Sequence, residues 1–155
     1  MNSGWHIIFS SVFTTLFWLY SSELNLNTVP PVLIALTPIV TLSAVFYPDL
    51  DQRTHLLQHR SWLTHSAIVG LVLIIPMLYP NEASILLNIF CFNVGIHLFC
   101  DLHVPKKMVG YATVKLPTGK STKARTIFNL QKSGVTITWL FINGLILVLS
   151  SIILL

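Results

Sequence analysis

What most constrains this chain is where its charges are missing. Five windows, residues 1–22, 24–48, 61–81, 83–100 and 133–155, contain no Asp, Glu, Lys or Arg. Each is close to the roughly 20 residues that a helix needs to cross a hydrocarbon core. A water-soluble helix of that length carries a charged face, and these windows have none to offer. Only 9% of the 155 residues are charged and 54% are hydrophobic, whereas soluble domains average about a quarter charged. The expected fold is an all-α integral membrane protein: one bundle of about five transmembrane helices at roughly 5–21, 29–48, 63–80, 83–101 and 134–154. A bundle of this size leaves no room for a second domain.

The first window has no Lys or Arg ahead of its apolar run, and no small-residue cleavage site follows. It therefore reads as a retained helix rather than a signal peptide. Cys91 and Cys100 are nine residues apart in the fourth window, roughly 13 Å along a helix axis. That separation excludes a disulfide between them, and both read as buried free thiols.

All nine Lys and Arg residues lie in two connections. Arg53 and Arg60 sit in one; Lys106, Lys107, Lys115, Lys120, Lys123, Arg125 and Lys132 sit in the other. With five spans these two connections share a side, and basic loops stay cytoplasmic. The N-terminus is then expected inside and the C-terminus outside. The opposite connections carry only Glu23 and Glu82. The net charge of +4 is accounted for by anchoring to anionic lipid headgroups, without invoking nucleic acid. The stretch Pro117-Thr118-Gly119-Lys120-Ser121 resembles the tail of a phosphate-binding loop, but Val114 stands where the full motif needs glycine,. The polar excursion at 102–133 reads as a small cytoplasmic hairpin over the helix ends.

The same topology gathers the chemistry. Five of the six histidines and all three aspartates lie between Asp49 and His103, and the sixth histidine is His6. His6 falls at the inner end of the first helix, and Asp49 and Asp51 follow the second. His59 and His65 lead into the third, and His97 and Asp101 close the fourth. Four helix ends thus bring imidazoles and carboxylates to one cytoplasmic region. His97 and Asp101 are i and i+4, on one helix face, where both can bind one cation or the carboxylate can orient the imidazole. His97 lies inside a charge-free window, where a polar group is costly and marks function by default. His55 and His103 read as interfacial residues at headgroup level. Mixed nitrogen and oxygen ligands suit a divalent metal. Zinc is the usual hydrolytic choice, and manganese and iron accept similar ligands. The expected metal set is His6, Asp49, Asp51, His59, His65, His97 and Asp101.

The ordered segments Pro48-Asp49-Leu50-Asp51, His59-Arg60-Ser61-Trp62-Leu63-Thr64-His65-Ser66 and Gly95-Ile96-His97-Leu98-Phe99-Cys100-Asp101 resemble the YdjM-like family of inner-membrane proteins, regarded as metal-dependent hydrolases. Gly4-Trp5-His6-Ile7-Ile8-Phe9-Ser10 resembles the family's early glycine–histidine segment. At greater distance the pattern is similar to the all-helical zinc-dependent phospholipase C and single-strand nuclease superfamily. The resemblance implies a bacterial inner-membrane location and metal-assisted attack of water on a phosphate ester. Asp51, His65 and Arg60 are expected to take part in the chemistry, Arg60 by steadying a phosphate. Expected partners are membrane lipids, an anionic phosphate substrate or a cytoplasmic protein at the basic loop, and a second copy of the chain. A lipid headgroup is the most economical substrate for a site at headgroup depth. The competing expectation is a non-enzymatic membrane subunit whose metal holds the helix ends while the basic loop docks a cytoplasmic partner. A transporter fits poorly, because the first, third and fifth helices offer no ionisable residue near mid-membrane.

Overall fold

In a computed structural model of the chain, the described residues are 3–21, 30–50, 64–78, 82–102 and 133–154, and these form five α-helices and no strand. The helices are α1 (Ser3–Ser21), α2 (Pro31–Phe46), α3 (Ile68–Met77), α4 (Glu82–Asp101) and α5 (Ser133–Ile153). The all-helical expectation therefore holds, and four of the five expected ranges agree to within about two residues at each end. Pro31 occupies the first turn of α2, where its missing N–H costs nothing. Pro48 follows the end of α2, as its restriction on the preceding residue requires.

The third helix departs from expectation. A helix from 63 was expected, but residues 64–67 form turns and α3 starts at Ile68. The reason is a tether to α5. Trp139 Nε1 donates to the His65 carbonyl at 2.8 Å, and the Ala67 amide donates to Asn143 Oδ1 at 2.8 Å. Asn143 is itself oriented by donating to the Trp139 carbonyl at 2.8 Å. These partners take up backbone groups at the end of the turn and hold His65 at the mouth of α3.

Helix α4 is the axis of the bundle and packs against each of the other four, most extensively against α5. Glycines permit that close crossing. A Cβ on Gly95 would lie 3.0 Å from the Gly144 carbonyl oxygen and 2.8 Å from Val148 Cγ2. A Cβ on Gly144 would lie 3.1 Å from Phe99 Cε1.

The bundle is apolar outside and mixed inside. Outward faces carry apolar side chains, among them Ile8, Val12, Leu16, Ile39, Val72 and Ile146. Inward positions combine apolar side chains such as Leu33, Ile89, Leu98 and Leu147 with polar ones, including Ser10, Thr14, Thr41, Asn88, Asn93 and Asn143. The interior polar groups pair across helices. Asn93 Nδ2 donates to Thr14 Oγ1 at 2.8 Å and to the Ile89 carbonyl at 2.9 Å. Thr14 Oγ1 lies 3.4 Å from Thr41 Oγ1, and Trp18 Nε1 donates to Thr37 Oγ1 at 3.2 Å. This seam ties α1, α2 and α4 together.

By length and composition, one helix is long and apolar enough to cross a membrane: Ala83–Asp101, with mean hydropathy 1.8. The described apolar stretches Gly4–Leu19, Pro31–Phe46, Ile68–Met77 and Ile137–Ile153 are shorter, at 10–17 residues. The expectation of five spans is thus met by one helix on these criteria. The other four described apolar stretches, at 10–17 residues, fall below the roughly 20 that a perpendicular span needs,. The expected hairpin lies outside the described residues except at its ends, Leu102 and Ser133, as do all nine Lys and Arg residues.

Candidate metal centre

Two facing stripes build the site. On α1, His6, Ser10 and Thr14 repeat every four residues; on α4, Asn93, His97 and Asp101 do the same. Four-residue spacing puts each set on one helix face. The two helices run in opposite directions, so Thr14 meets Asn93 deep in the bundle and His6 meets His97 and Asp101 at its end. The α5-tethered turn delivers His65 to the same point, and the segment after α2 delivers Asp49.

Asp101 is the hub. Its Oδ2 lies 3.3 Å from His65 Nε2 and 3.6 Å from His97 Nε2, and its Oδ1 lies 3.7 Å from His6 Nε2. His6 Nδ1 and His97 Nδ1 are 3.1 Å apart. His65 Nδ1 lies 3.0 Å from Thr64 Oγ1. The four central side chains are almost fully buried: His97 is 1% exposed, His65 3%, Asp101 4% and His6 5%. Asp49 is half-buried. His6, His97 and Asp101 form one group whose ligand atoms lie within 4.8 Å of one another, and Asp49, His65 and His97 form a second. His97 belongs to both.

The spacing suits a shared cation. Nitrogen or oxygen ligands at about 2.0–2.1 Å from a tetrahedral zinc stand ~3.3–3.4 Å from each other. The contacts of 3.3 and 3.6 Å to Asp101 Oδ2 match that value or exceed it slightly. They also exceed the usual 2.7–3.2 Å of an N–H···O hydrogen bond. The proton count points the same way. Only one proton fits between His6 Nδ1 and His97 Nδ1, so if both rings are neutral one of them turns an Nε2 lone pair toward Asp101. His97 Nε2 is buried with no hydrogen-bond partner among the described residues. Two electron-rich atoms facing each other in a buried pocket are costly, and a cation between them removes the cost. The residues present therefore fit a divalent metal, and nothing in the set selects zinc over manganese or iron.

Of the residues expected at the site, His6, Asp49, His65, His97 and Asp101 are brought together. Asp51, His59 and Arg60 lie outside the described residues. Thr64, Trp139 and Asn143 were not anticipated, although they position His65. The available signal was weak: Trp139 and Asn143 are i and i+4 polar-tipped residues in a mostly apolar helix that also carries several Ser and Thr.

Compared with known family models, curated proteins and solved structures, the chain matches none.

Proposed function

We propose that this chain is a membrane-embedded, metal-dependent hydrolase whose site lies at the cytoplasmic face and acts on a phosphoester such as a lipid headgroup. One observation carries the reading: His6, His65 and His97, from α1, the 64–67 turn and α4, lie 3.3–3.7 Å from Asp101, close to the spacing of ligands around a cation, and Asp49 groups with His65 and His97 beside them. Motifs resembling the YdjM-like proteins supply the reaction class.

The apolar exterior of the bundle supports the membrane setting. Soluble monomers rarely expose a contiguous apolar patch beyond a few hundred Å², whereas each outer helix here presents apolar residues outward. In this reading all five helices belong to the membrane-embedded bundle. The basic connections put the metal cluster inside.

His65, His97, Asp101 and Asp49 would hold the metal. When bound, a divalent ion supplies Lewis acidity that brings the pKa of a coordinated water to roughly 7. The chain's own residues do the rest. Asp101 carries the negative charge that offsets the cation. Asp49, half-buried, marks the side from which a substrate reaches the cluster. Arg60, Asp51 and the basic residues from Lys106 to Arg125 would supply the phosphate contacts and further carboxylate of the sequence-based reading.

The near-complete burial of the four central side chains favours a second reading, a closed structural site in a non-enzymatic subunit. A structural metal is enclosed by protein ligands, whereas a catalytic one keeps a position for water. The test is to load the purified protein with zinc, manganese or iron(II) and assay bis(p-nitrophenyl) phosphate and phospholipid vesicles beside His97→Ala. The hydrolase reading expects metal-dependent turnover that His97→Ala abolishes. Full metal occupancy with no turnover on either substrate would transfer support to the structural subunit.

A further inference from the structure

We infer that His6 is a positioning residue rather than a metal ligand: one neutral imidazole that fixes both His97 and Asp101 from outside the coordination sphere. The inference rests on the metal-site reading and refines it.

All three imidazoles meet Asp101 through Nε2, so the Nε2 edges form the ligating face. They do not meet it alike. His65 and His97 approach the same oxygen, Oδ2, at 3.3 and 3.6 Å. His6 approaches the other oxygen, Oδ1, at 3.7 Å. His65 Nε2 and His97 Nε2 thus share Oδ2, while His6 Nε2 meets Oδ1. His6 still offers a ligand atom within 4.8 Å of those of His97 and Asp101, so distance alone does not divide them.

Proton bookkeeping makes the division. For His97 to ligate through Nε2 as a neutral ring, its proton must sit on Nδ1. That Nδ1 is 3.1 Å from His6 Nδ1, so His6 must accept there, and its own proton is left on Nε2. His6 Nε2–H then faces Asp101 Oδ1. One neutral ring has one donor and one acceptor, and this arrangement uses both on metal ligands. Making His6 a third Nε2 ligand would put protons on both Nδ1 atoms and set two N–H groups against each other at 3.1 Å. Thr64 Oγ1, 3.0 Å from His65 Nδ1, is placed to serve His65 in the same way: when it accepts from Nδ1–H, the Nε2 facing Asp101 Oδ2 carries the lone pair. Each ligand histidine thus has a side-chain acceptor that fixes its tautomer, as metal-bound imidazoles generally require.

The test is X-ray absorption on the full-length protein loaded with zinc, in the wild type and in His6→Gln and His6→Phe, with zinc affinity measured by chelator competition. The glutamine amide keeps one acceptor and one donor; the phenylalanine keeps neither. The expected wild-type spectrum shows two imidazoles, and two remain in both variants that bind zinc. Affinity should fall by less than about 10-fold in His6→Gln and by about 10- to 100-fold in His6→Phe. Three imidazoles in the wild type, dropping to two in His6→Gln, would overturn the inference while leaving the metal site intact. A wild type that binds no zinc would overturn both. Two imidazoles in a protein that hydrolyses nothing would sink the hydrolase reading and leave the role of His6 standing. The wild-type spectrum decides the point even if a variant fails to fold.

Discussion

Replacing Gly95 with alanine should loosen the bundle and the metal site together. The added methyl would stand 3.0 Å from the Gly144 carbonyl oxygen, 3.1 Å from Leu147 Cβ and 2.8 Å from Val148 Cγ2. Carbon–carbon contacts are comfortable at about 3.5–4.0 Å and C···O contacts at about 3.3–3.6 Å. The Val148 methyl can rotate, but the Gly144 carbonyl is backbone, so α4 and α5 must separate by about 0.4 Å or more to restore ordinary contact distances. Overpacking of this kind costs about 1–3 kcal/mol. Alanine recovers about 0.5–1 kcal/mol over glycine as a helix former, so the net loss is about 0–2.5 kcal/mol, with a mid-range near 1. For a chain of this size the mid-range corresponds to a melting point lower by about 2–4 °C, and the upper end to about 10 °C. The site feels the same shift, because His65 is tied to α5 through Trp139 whereas His97 and Asp101 ride on α4. Metal–ligand distances tolerate only about ±0.2 Å, so zinc affinity should fall by about 10- to 100-fold, as when a supporting contact is lost. Gly4→Ala is the internal control, since nothing lies within 4 Å of where its added methyl would stand. Thermal unfolding in detergent and chelator competition for zinc, run on both variants, provide the assay. If Gly95→Ala matches Gly4→Ala in both readouts, the close crossing does not set the site.

Two further perturbations probe separate contacts. Trp139→Phe keeps the ring in place but removes the donor to the His65 carbonyl; zinc affinity should fall by about 10-fold with only a small change in melting point. Asn93→Leu should cost about 1–2 kcal/mol by stripping hydrogen bonds from Thr14. Combining it with Thr14→Val should cost less than the sum of the single changes, because the two side chains share one network; a strictly additive result in thermal unfolding would show them to be independent.

Most of the helical frame could be read from the sequence because charge-free runs and prolines are local signals. Pro31 and Pro48 bound α2, and Glu82 and Asp101 bound α4. The start of α3 was not legible, because the groups that hold the 64–67 turn, Trp139 and Asn143, lie more than 70 residues away in sequence. The gathering of His6, Asp49, His65, His97 and Asp101 was legible, since alternating helix direction alone brings those ends together. Which nitrogen faces which carboxylate oxygen was not: a ring rotation or a one-residue change in helix rotation would reassign it, and only packing decides that. The interior seam of Thr14, Thr41 and Asn93 was likewise hidden, because threonine and asparagine do not interrupt a window defined by full charges.

Bound metal is the most direct test of the central claim. The full-length chain would be purified in detergent and its metals counted by elemental mass spectrometry, beside His97→Ala and Asp101→Ala. Stoichiometric zinc, manganese or iron in the wild type, lost from both variants while they remain folded, is the predicted result. A folded wild type that holds no metal, even after each of the three is supplied, would contradict it.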